Sequence, residues 1–237
     1  MKIRQVPIST SGSASCEQGL ATNLWAANAD LAQAALTHRF VRGLADGSLP
    51  RLAFETYIGQ DAFFLEAFAR AYALALARCP DRTGLRDFFE LLSGALDELR
   101  LHASYAARWG IQVGDVLPSA PTLAYTDFLL STAALGGVGQ TCAAMTPCMR
   151  LYAYLGASLS AGGAAAGQNP YGDWVRTYAA PGFAALAAQL ERLLDRYATD
   201  GATVRAVYRR AMVLEVAFFE AGYATEVWGG QAAHAPA

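Results

Sequence analysis

Two carboxylic acids interrupt the apolar stripes of predicted helices. Asp61 and Glu215 each fall in a stripe of apolar and aromatic residues spaced three and four apart: Phe54, Tyr57, Ile58, Phe64, Leu65, Phe68 and Tyr72 around Asp61, and Val204, Tyr208, Met212, Phe218, Phe219 and Gly222 around Glu215. Such a stripe is the buried face of a helix. A buried carboxylate is costly unless it is hydrogen-bonded, so each acid is either a structural bonding group or a functional one. Apolar surroundings raise a carboxyl pKa, which would let Glu215 donate a proton near neutral pH.

Cys148 is a third candidate, because it shares a helix face with apolar residues and directly follows a proline. The face contains Met145, Leu151, Tyr152 and Leu155. Free cysteines commonly fill protein cores. Pro147, however, can begin or kink a helix and leave N–H groups free nearby, and a thiol near a helix start ionises more readily. The pattern leaves core filling and nucleophilic catalysis both open.

Two tyrosines and one acid–histidine pair complete the set of candidates. Tyr125 begins a helix stripe and Tyr178 closes the segment DWVRTY, so each either packs structurally or lines a small-molecule pocket. Glu98 and His102 stand one helical turn apart and could ligate a metal. The Glu-x-x-His pairs of di-iron bundles are missing, and so are paired-cysteine spacings and nucleotide-binding motifs. We therefore expect no metal and no cofactor.

The composition excludes some classes of function. A net charge of −2 without a basic stripe argues against nucleic-acid binding. Four cysteines without a disulfide framework, and an N-terminus without an apolar signal region, favour a reducing, cytoplasmic location. Residues 128–149 carry no charge and are long enough to span a bilayer, but their glycines and polar residues favour a buried helix pair over a membrane segment. The hydrophobic content of 54% against 16% charged residues indicates that much apolar surface is hidden in a thick core or between subunits.

The elements that must position these residues are helices, because no segment alternates as a strand does. Glycine and proline breakers separate predicted helices at 17–37, 51–78, 82–109, 121–135, 138–160, 172–198 and 202–226. No linker divides them, so we predict one all-α domain over 17–226. Residues 1–16 are predicted to be disordered and residues 227–237 to form a flexible tail.

Several segments together resemble the TenA family of thiaminase II enzymes. The segment HRFVRGLADGSLPRLAFETYIGQDAFFLEAFARAYALA is similar to that family's first motif, TPCMRLYAYLG to its cysteine motif and AMVLEVAFFEAGY to its glutamate helix. The similarity runs from about Leu24 to Tyr223. The cysteine and glutamate motifs look closest to the TenA domain of the plant bifunctional thiamine-phosphate phosphatases, whose phosphatase domain has no counterpart here.

The resemblance implies a haem-oxygenase-like helical bundle that binds no haem, a pyrimidine pocket and a homotetramer. It implies hydrolysis of an aminopyrimidine, or of thiamine, at the methylene group on ring carbon C5, as in thiamine salvage. Cys148 then matches the nucleophile, Glu215 the general acid/base, and Asp61 the residue that holds the aminopyrimidine. The matching pocket residues are Tyr125 and Tyr178, with Tyr152 as a further candidate.

One departure from the family pattern bears on specificity. Phe64 stands where many bacterial members have a tyrosine, which keeps a stacking face but removes a hydroxyl and puts the rate of thiamine cleavage in question. Two other interpretations remain. One is a non-catalytic pyrimidine- or thiamine-binding protein on the same scaffold. The other is an oxidase related to the pyrroloquinoline quinone synthases, which the scarcity of histidine disfavours.

Overall fold

The computed structural model describes residues 19–110, 117–165 and 167–232, without the side chains of residues 101, 102, 105, 108 and 224–232. These residues form helices and no strand, which confirms the predicted all-α class. The predicted domain limits, with disorder over 1–16 and a flexible tail over 227–237, lie wholly or partly outside the described residues and stay predictions. The helices are α1 (Leu20–Ala27), α2 (Ala29–Thr37), α3 (Arg39–Asp46), α4 (Arg51–Arg78), α5 (Arg82–Trp109), α6 (Ala120–Leu135), α7 (Val138–Ala161), α8 (Gly172–Ala179), α9 (Pro181–Tyr197) and α10 (Ala202–Ala232).

The four helices from α4 to α7 lie within one residue of their predicted bounds, because strong local signals end them. The side chain of Asp81 accepts a hydrogen bond from the Gly84 amide at the start of α5, at 3.0 Å. Ser119 caps α6 in the same way. Such caps satisfy the free N–H groups of the first turn. The pair Gly136–Gly137 separates α6 from α7, so the uncharged stretch 128–149 is divided between two helices, as predicted.

Two predicted helices are each split in the structure. The segment predicted at 17–37 divides at Asn28, whose buried side-chain amide donates to the Leu24 carbonyl at 2.8 Å. A side chain that bonds to nearby backbone in this way competes with the helical hydrogen bonds. The segment predicted at 172–198 divides before Pro181, because a proline disfavours helical geometry in the preceding residue, and Ala180 is extended.

Helix α3 was not predicted, and its ends explain why it forms. His38 accepts a hydrogen bond from the Phe40 amide at 3.2 Å, so the imidazole caps the helix start. Gly47 ends the helix with φ of +78°, a backbone conformation that glycine adopts without a steric penalty. Histidine is not among the residues that ordinarily signal a helix start. The sequence around α3 therefore gave too weak a signal for a short helix.

Helix α7 runs through the centre of the molecule and is buried from Thr141 to Met149. It packs against α8, α9 and α10, while α4 packs against α5, α6 and α10. A Cβ atom at Gly156 would overlap the backbone of Tyr178 and Ala179. The missing side chain therefore lets the end of α8 lie directly against α7. In the described part of the chain, no helix is long and apolar enough to cross a membrane.

Candidate active site

The helices bring Cys148 to a cavity in the middle of the bundle. The cavity has about 270 Å³ of space between atoms, including its approach from solvent, and is lined by Asp61, Phe64, Leu65, Phe68, Glu98, Cys148, Met149, Tyr152, Tyr178 and Phe183. The wall atoms leave room for little more than one water molecule in this space, so a one-ring ligand has to displace side chains of the wall. Five lining residues are apolar or aromatic without a hydroxyl, and the other five carry a carboxyl, thiol or hydroxyl group.

Cys148 does not lie at a helix start, which corrects one expectation from the sequence. Pro147 is inside α7, nine residues after its first residue, and removes one internal hydrogen bond without ending the helix. Burial raises the pKa of the Cys148 thiol well above its usual value, and the nearby Glu215, Glu98 and Asp61 carboxylates add to this. The thiol is therefore not ionised in advance, and a neighbouring base must take its proton.

Glu215 is positioned to be that base. Its side chain is buried, accepts a hydrogen bond from the Tyr125 hydroxyl at 2.6 Å, and is hydrogen-bonded to the Cys148 thiol. Burial raises the pKa of Glu215 to about 7, although both hydrogen bonds oppose the rise. A carboxyl group with a pKa near the working pH can both accept and return a proton.

Asp61 lies on the α4 side of the cavity and is held in its neutral form. Burial raises its pKa well above the usual range, and the negative charges of Glu98 and Glu215 raise it further. A hydrogen bond with Tyr57, one turn earlier on α4, acts in the opposite direction. The hydroxyls of Tyr57 and Tyr152 are 3.2 Å apart, and the Trp174 indole N–H donates to Tyr57 at 3.3 Å. This buried network fixes Asp61 and the aromatic wall relative to one another.

The four aromatic candidates divide into two groups. Phe64, Tyr152 and Tyr178 line the cavity. Tyr125 contacts it indirectly, through its bond to Glu215 and through ring packing on Phe64, with ring centres 4.7 Å apart. The structure thus brings together all seven residues singled out by sequence.

Glu98 is a cavity residue that sequence reasoning considered only as a metal ligand. It accepts a hydrogen bond from the Tyr178 hydroxyl at 2.8 Å, and burial raises its pKa to about 6. A usable signal was present, because Leu91, Ala95 and Glu98 follow helical spacing and the first two are buried. This is the pattern that identified Asp61 and Glu215. The other half of the suggested metal pair, His102, has no described side chain.

A second acid of α10 and a histidine lie away from the cavity. Glu220, which falls off the buried stripe of α10, is exposed and pairs with His38 at 3.0 Å and with Arg39. No group of three or more metal-binding side chains occurs among the residues that the structure describes. The described cysteines, Cys79, Cys142 and Cys148, are free thiols.

Named proteins are similar in sequence to this chain over most of its length. An aminopyrimidine aminohydrolase of Halalkalibacterium halodurans is 32% identical over 205 residues, which cover 83% of this chain and 92% of that protein. The mitochondrial bifunctional TH2 protein of Arabidopsis thaliana is 34% identical over 203 residues, which cover 75% of this chain but only 33% of that longer protein. The second match agrees with the similarity to a plant TenA domain that the motifs indicated.

Solved structures identify the fold as haem-oxygenase-like. A protein of Silicibacter sp. TM1040, described as a TenA family transcription regulator, superposes with a TM-score of 0.80 at 28% identity, over 86% of this chain and 97% of that one. Haem oxygenase-1 of the cyanobacterium Synechocystis, at 16% identity, superposes with a TM-score of 0.59 over 90% of this chain and 96% of that one, which shows a shared fold alone.

The family assignment covers nearly the whole described chain. The model of the TENA/THI-4/PQQC family matches residues 25–225. That range contains every helix from α2 to α9, the cysteine motif in α7 and the glutamate motif in α10. The chain belongs to the TENA/THI-4/PQQC family.

Proposed function

We propose that this protein is a hydrolase that releases the leaving group from the C5 methylene of 4-amino-2-methylpyrimidines. Its natural reaction would convert the aminomethylpyrimidine to the hydroxymethylpyrimidine, a step of thiamine salvage, and thiamine itself could be a further substrate. The observation that carries the proposal is the hydrogen-bonded set Cys148–Glu215–Tyr125 beside a cavity lined by acids and aromatic rings. The name and length of the Halalkalibacterium relative support the same activity.

The chemistry begins with transfer of the thiol proton from Cys148 to Glu215. The thiolate then adds to the electron-poor ring at C6, forming a sulfur–carbon bond. The neutral Asp61 carboxyl can donate its proton toward one ring nitrogen and accept from the amino group, so it binds the amidine-like edge and favours positive charge on the ring. That charge draws electrons from C6 and helps the addition. A covalent adduct replaces one difficult displacement with easier steps.

The adduct then loses its leaving group and is hydrolysed. Electron flow from the ring breaks the bond between the methylene carbon and nitrogen, and the proton held by Glu215 lets the nitrogen depart as ammonia. Water adds to the exocyclic methylene, and its proton returns to Glu215. Expulsion of the cysteine sulfur from C6 restores the aromatic ring, and the thiol regains its proton. The enclosed, largely apolar wall strengthens each of these polar contacts.

The first test is ammonia release from aminomethylpyrimidine by the wild-type protein and by Cys148→Ser, with thiamine assayed in parallel. We expect release by the wild type and none above background from Cys148→Ser, which should still bind the pyrimidine. Cys142→Ser is the matched control, because Cys142 is buried on the same helix but is not part of the cavity wall. Near-full activity in Cys148→Ser would reject the nucleophile.

The second candidate function is non-catalytic binding of a pyrimidine or of thiamine. The observation that favours it is the raised pKa of the Cys148 thiol, which disfavours the reactive thiolate in the free protein. Binding of the aminopyrimidine without ammonia release from any substrate, and without a mass shift on Cys148, would support this alternative.

The homotetramer and the cytoplasmic location form part of the same proposal and rest on the family resemblance and on the free thiols. Several large apolar side chains remain exposed on the single chain, among them Phe63, Phe89 and Leu123. Burial of such residues between subunits would explain the low content of charged residues. We expect light scattering to give a mass about four times the 25.1 kDa of one chain. A mass of one chain at micromolar concentration would contradict the tetramer.

A further inference from the structure

Three carboxylic acids lie in or beside the cavity, and the proposed chemistry uses two of them. Asp61, Glu98 and Glu215 are near enough to affect one another electrostatically, and each raises the pKa of the Cys148 thiol. No lysine or arginine is among the described residues that line the cavity. A site with three acids and no balancing cation favours a positively charged ligand. Glu215 and Asp61 have roles in the proposed reaction, and Glu98 has none.

Glu98 is also the acid most readily ionised at neutral pH. Asp61 and Glu215 are buried at 4% and 2% exposure, whereas Glu98 is half-buried and therefore less costly to charge. The hydrogen bond from Tyr178 stabilises the charged form. A carboxylate has acceptor positions beyond the one that Tyr178 occupies, so Glu98 can accept from a ligand as well.

A second cavity adjoins the first at Glu98. It has room for little more than one water-sized group and is lined by Phe68, Tyr72, Leu91, Gly94, Ala95, Glu98, Met149 and Leu186. Phe68, Glu98 and Met149 belong to both cavities. The Tyr72 hydroxyl, on a side chain only 1% exposed, has no hydrogen-bond partner among the described residues. A buried hydroxyl without a partner costs free energy, so this wall is suited to a small polar group.

We propose that Glu98 recognises the positively charged substituent on C5 of the substrate, and that the cavity shared with Tyr72 receives this substituent. The inference rests on the proposed function and narrows its substrate class to pyrimidines with a small ammonium leaving group. A primary alkylamine is protonated near neutral pH, as the lysine side chain is. The Glu98 carboxylate stabilises the positive charge on that nitrogen in the bound substrate. When the bond to carbon breaks, the nitrogen takes the electron pair and leaves as neutral ammonia without a proton from Glu215. The departing ammonia then takes the proton released by the attacking water, and Glu215 returns its own proton to the cysteine sulfur. A formylamino substituent is neutral, so the negative charge of Glu98 does not attract it.

The decisive experiment measures binding without turnover. In the Cys148→Ser background, calorimetry compares aminomethylpyrimidine, a cation, with hydroxymethylpyrimidine, which is neutral and similar in shape. Glu98→Gln removes the charge but keeps a carbonyl acceptor for the Tyr178 hydroxyl. We expect Glu98→Gln to weaken aminomethylpyrimidine binding roughly tenfold or more, as loss of a charged hydrogen bond does, and to leave hydroxymethylpyrimidine binding within about twofold.

Two further variants separate charge recognition from a general loss of structure. Asp97→Asn removes the same charge from the neighbouring, exposed position on α5 and should change neither affinity. Tyr72→Phe should weaken the aminomethyl ligand alone, by about threefold to tenfold, as loss of one neutral hydrogen bond does. An unchanged affinity in Tyr72→Phe would exclude the second cavity as the place of the substituent.

The outcomes distinguish this inference from the proposed function. If both ligands bind and Glu98→Gln weakens them equally or not at all, Glu98 does not recognise charge, and the proposed hydrolase stands unaffected. If neither pyrimidine binds any variant at millimolar concentration, the proposed function fails and the inference fails with it. In the active enzyme, Glu98→Gln should lower kcat/KM for the aminomethyl substrate relative to the formylaminomethyl substrate. An unchanged ratio would overturn charge selection during catalysis.

Discussion

At the scale of single residues, the site contains ionisable groups whose charged forms are disfavoured until a substrate is bound. The Cys148 thiol resists ionisation because it is buried near acids, and Glu215 holds a proton more tightly than an exposed glutamate does. Asp61 is neutral for the same reason. A cationic ligand would reverse these effects, because positive charge in the cavity stabilises both the thiolate and the carboxylates. Reactivity is therefore coupled to binding of a substrate of the right charge.

We expect substitution of Phe64 to change which leaving group the protein prefers. It lines the cavity and packs on Tyr125 and Phe218, with ring centres 4.7 and 5.8 Å away. Phe64→Tyr adds a hydroxyl where many bacterial family members carry one. We expect thiamine cleavage to rise by roughly threefold to tenfold relative to aminopyrimidine cleavage, the range that one new hydrogen bond provides. The ratio of kcat/KM for the two substrates is the measurement.

Phe63→Tyr is the matched control for this substitution. Phe63 is adjacent in sequence but 41% exposed, in a surface groove between α4 and α6. A hydroxyl there should leave the ratio unchanged. An equal ratio for wild type and Phe64→Tyr would mean that the ring hydroxyl does not determine the preference in this protein.

At the scale of helices, close packing of backbone on backbone places the site residues. The end of α8, which carries Tyr178, lies against α7 at Gly156, and Tyr152 is one turn earlier on α7. The rings of Tyr152 and Tyr178 meet edge to face at 4.8 Å. Contact between these two helices therefore sets the distance between two walls of the cavity.

Gly156→Ala should separate these helices. The added methyl group has to displace the backbone of α8, which cannot rotate away as a side chain can. We expect a loss of about 1–3 kcal/mol in the free energy of unfolding, which is typical of overpacking, and a lower kcat/KM because Tyr178 shifts. Denaturant unfolding and the hydrolysis assay measure the two effects.

Gly182→Ala is the control, because a Cβ atom at position 182, in α9, has no neighbour within 4 Å. Alanine favours helix over glycine by up to about 1 kcal/mol, so this variant should be equally stable or more stable. If Gly156→Ala behaves like Gly182→Ala, the close approach of α7 and α8 does not limit the site.

Sequence patterns predicted the long helices and singled out five of the residues that line the cavity, and the misses have physical causes. Asp61 and Glu215 were found because a single acid stands out in a long aromatic stripe. Glu98 stands on a helix rich in exposed polar residues, so its buried face gave less contrast. The division at Asn28 depends on one side-chain hydrogen bond, and the second cavity depends on packing between distant helices. Neither is encoded in local periodicity.

At the scale of the whole molecule, burial of the site's carboxyl groups lowers the free energy of unfolding as the pH rises. Burial raises the pKa of Glu215 from 4.5 to about 7. The folded protein thus keeps a proton that the unfolded chain loses above 4.5. The contribution of protonated Glu215 to the free energy of unfolding is fully present below pH 4.5 and is lost as the pH rises from 4.5 through 7. One unit of pKa corresponds to about 1.4 kcal/mol, so the loss is about 3 kcal/mol. Glu98 acts in the same direction, with its pKa raised to about 6.

Glu215→Gln should therefore stabilise the protein while it removes the activity. At pH 4 the glutamate is protonated in the folded protein and mostly protonated in the unfolded chain, so the variant should unfold at nearly the same temperature. At pH 8 the wild type buries a charge that glutamine lacks, so the variant should have a Tm several degrees higher. Glu66→Gln, at an exposed position on α4, should show no such pH-dependent gain. A Tm difference that is equal at both pH values would mean that Glu215 is not held as a buried, proton-binding group. A gain confined to high pH, with hydrolysis abolished, would show that the fold tolerates an unfavourable charge because the reaction requires it.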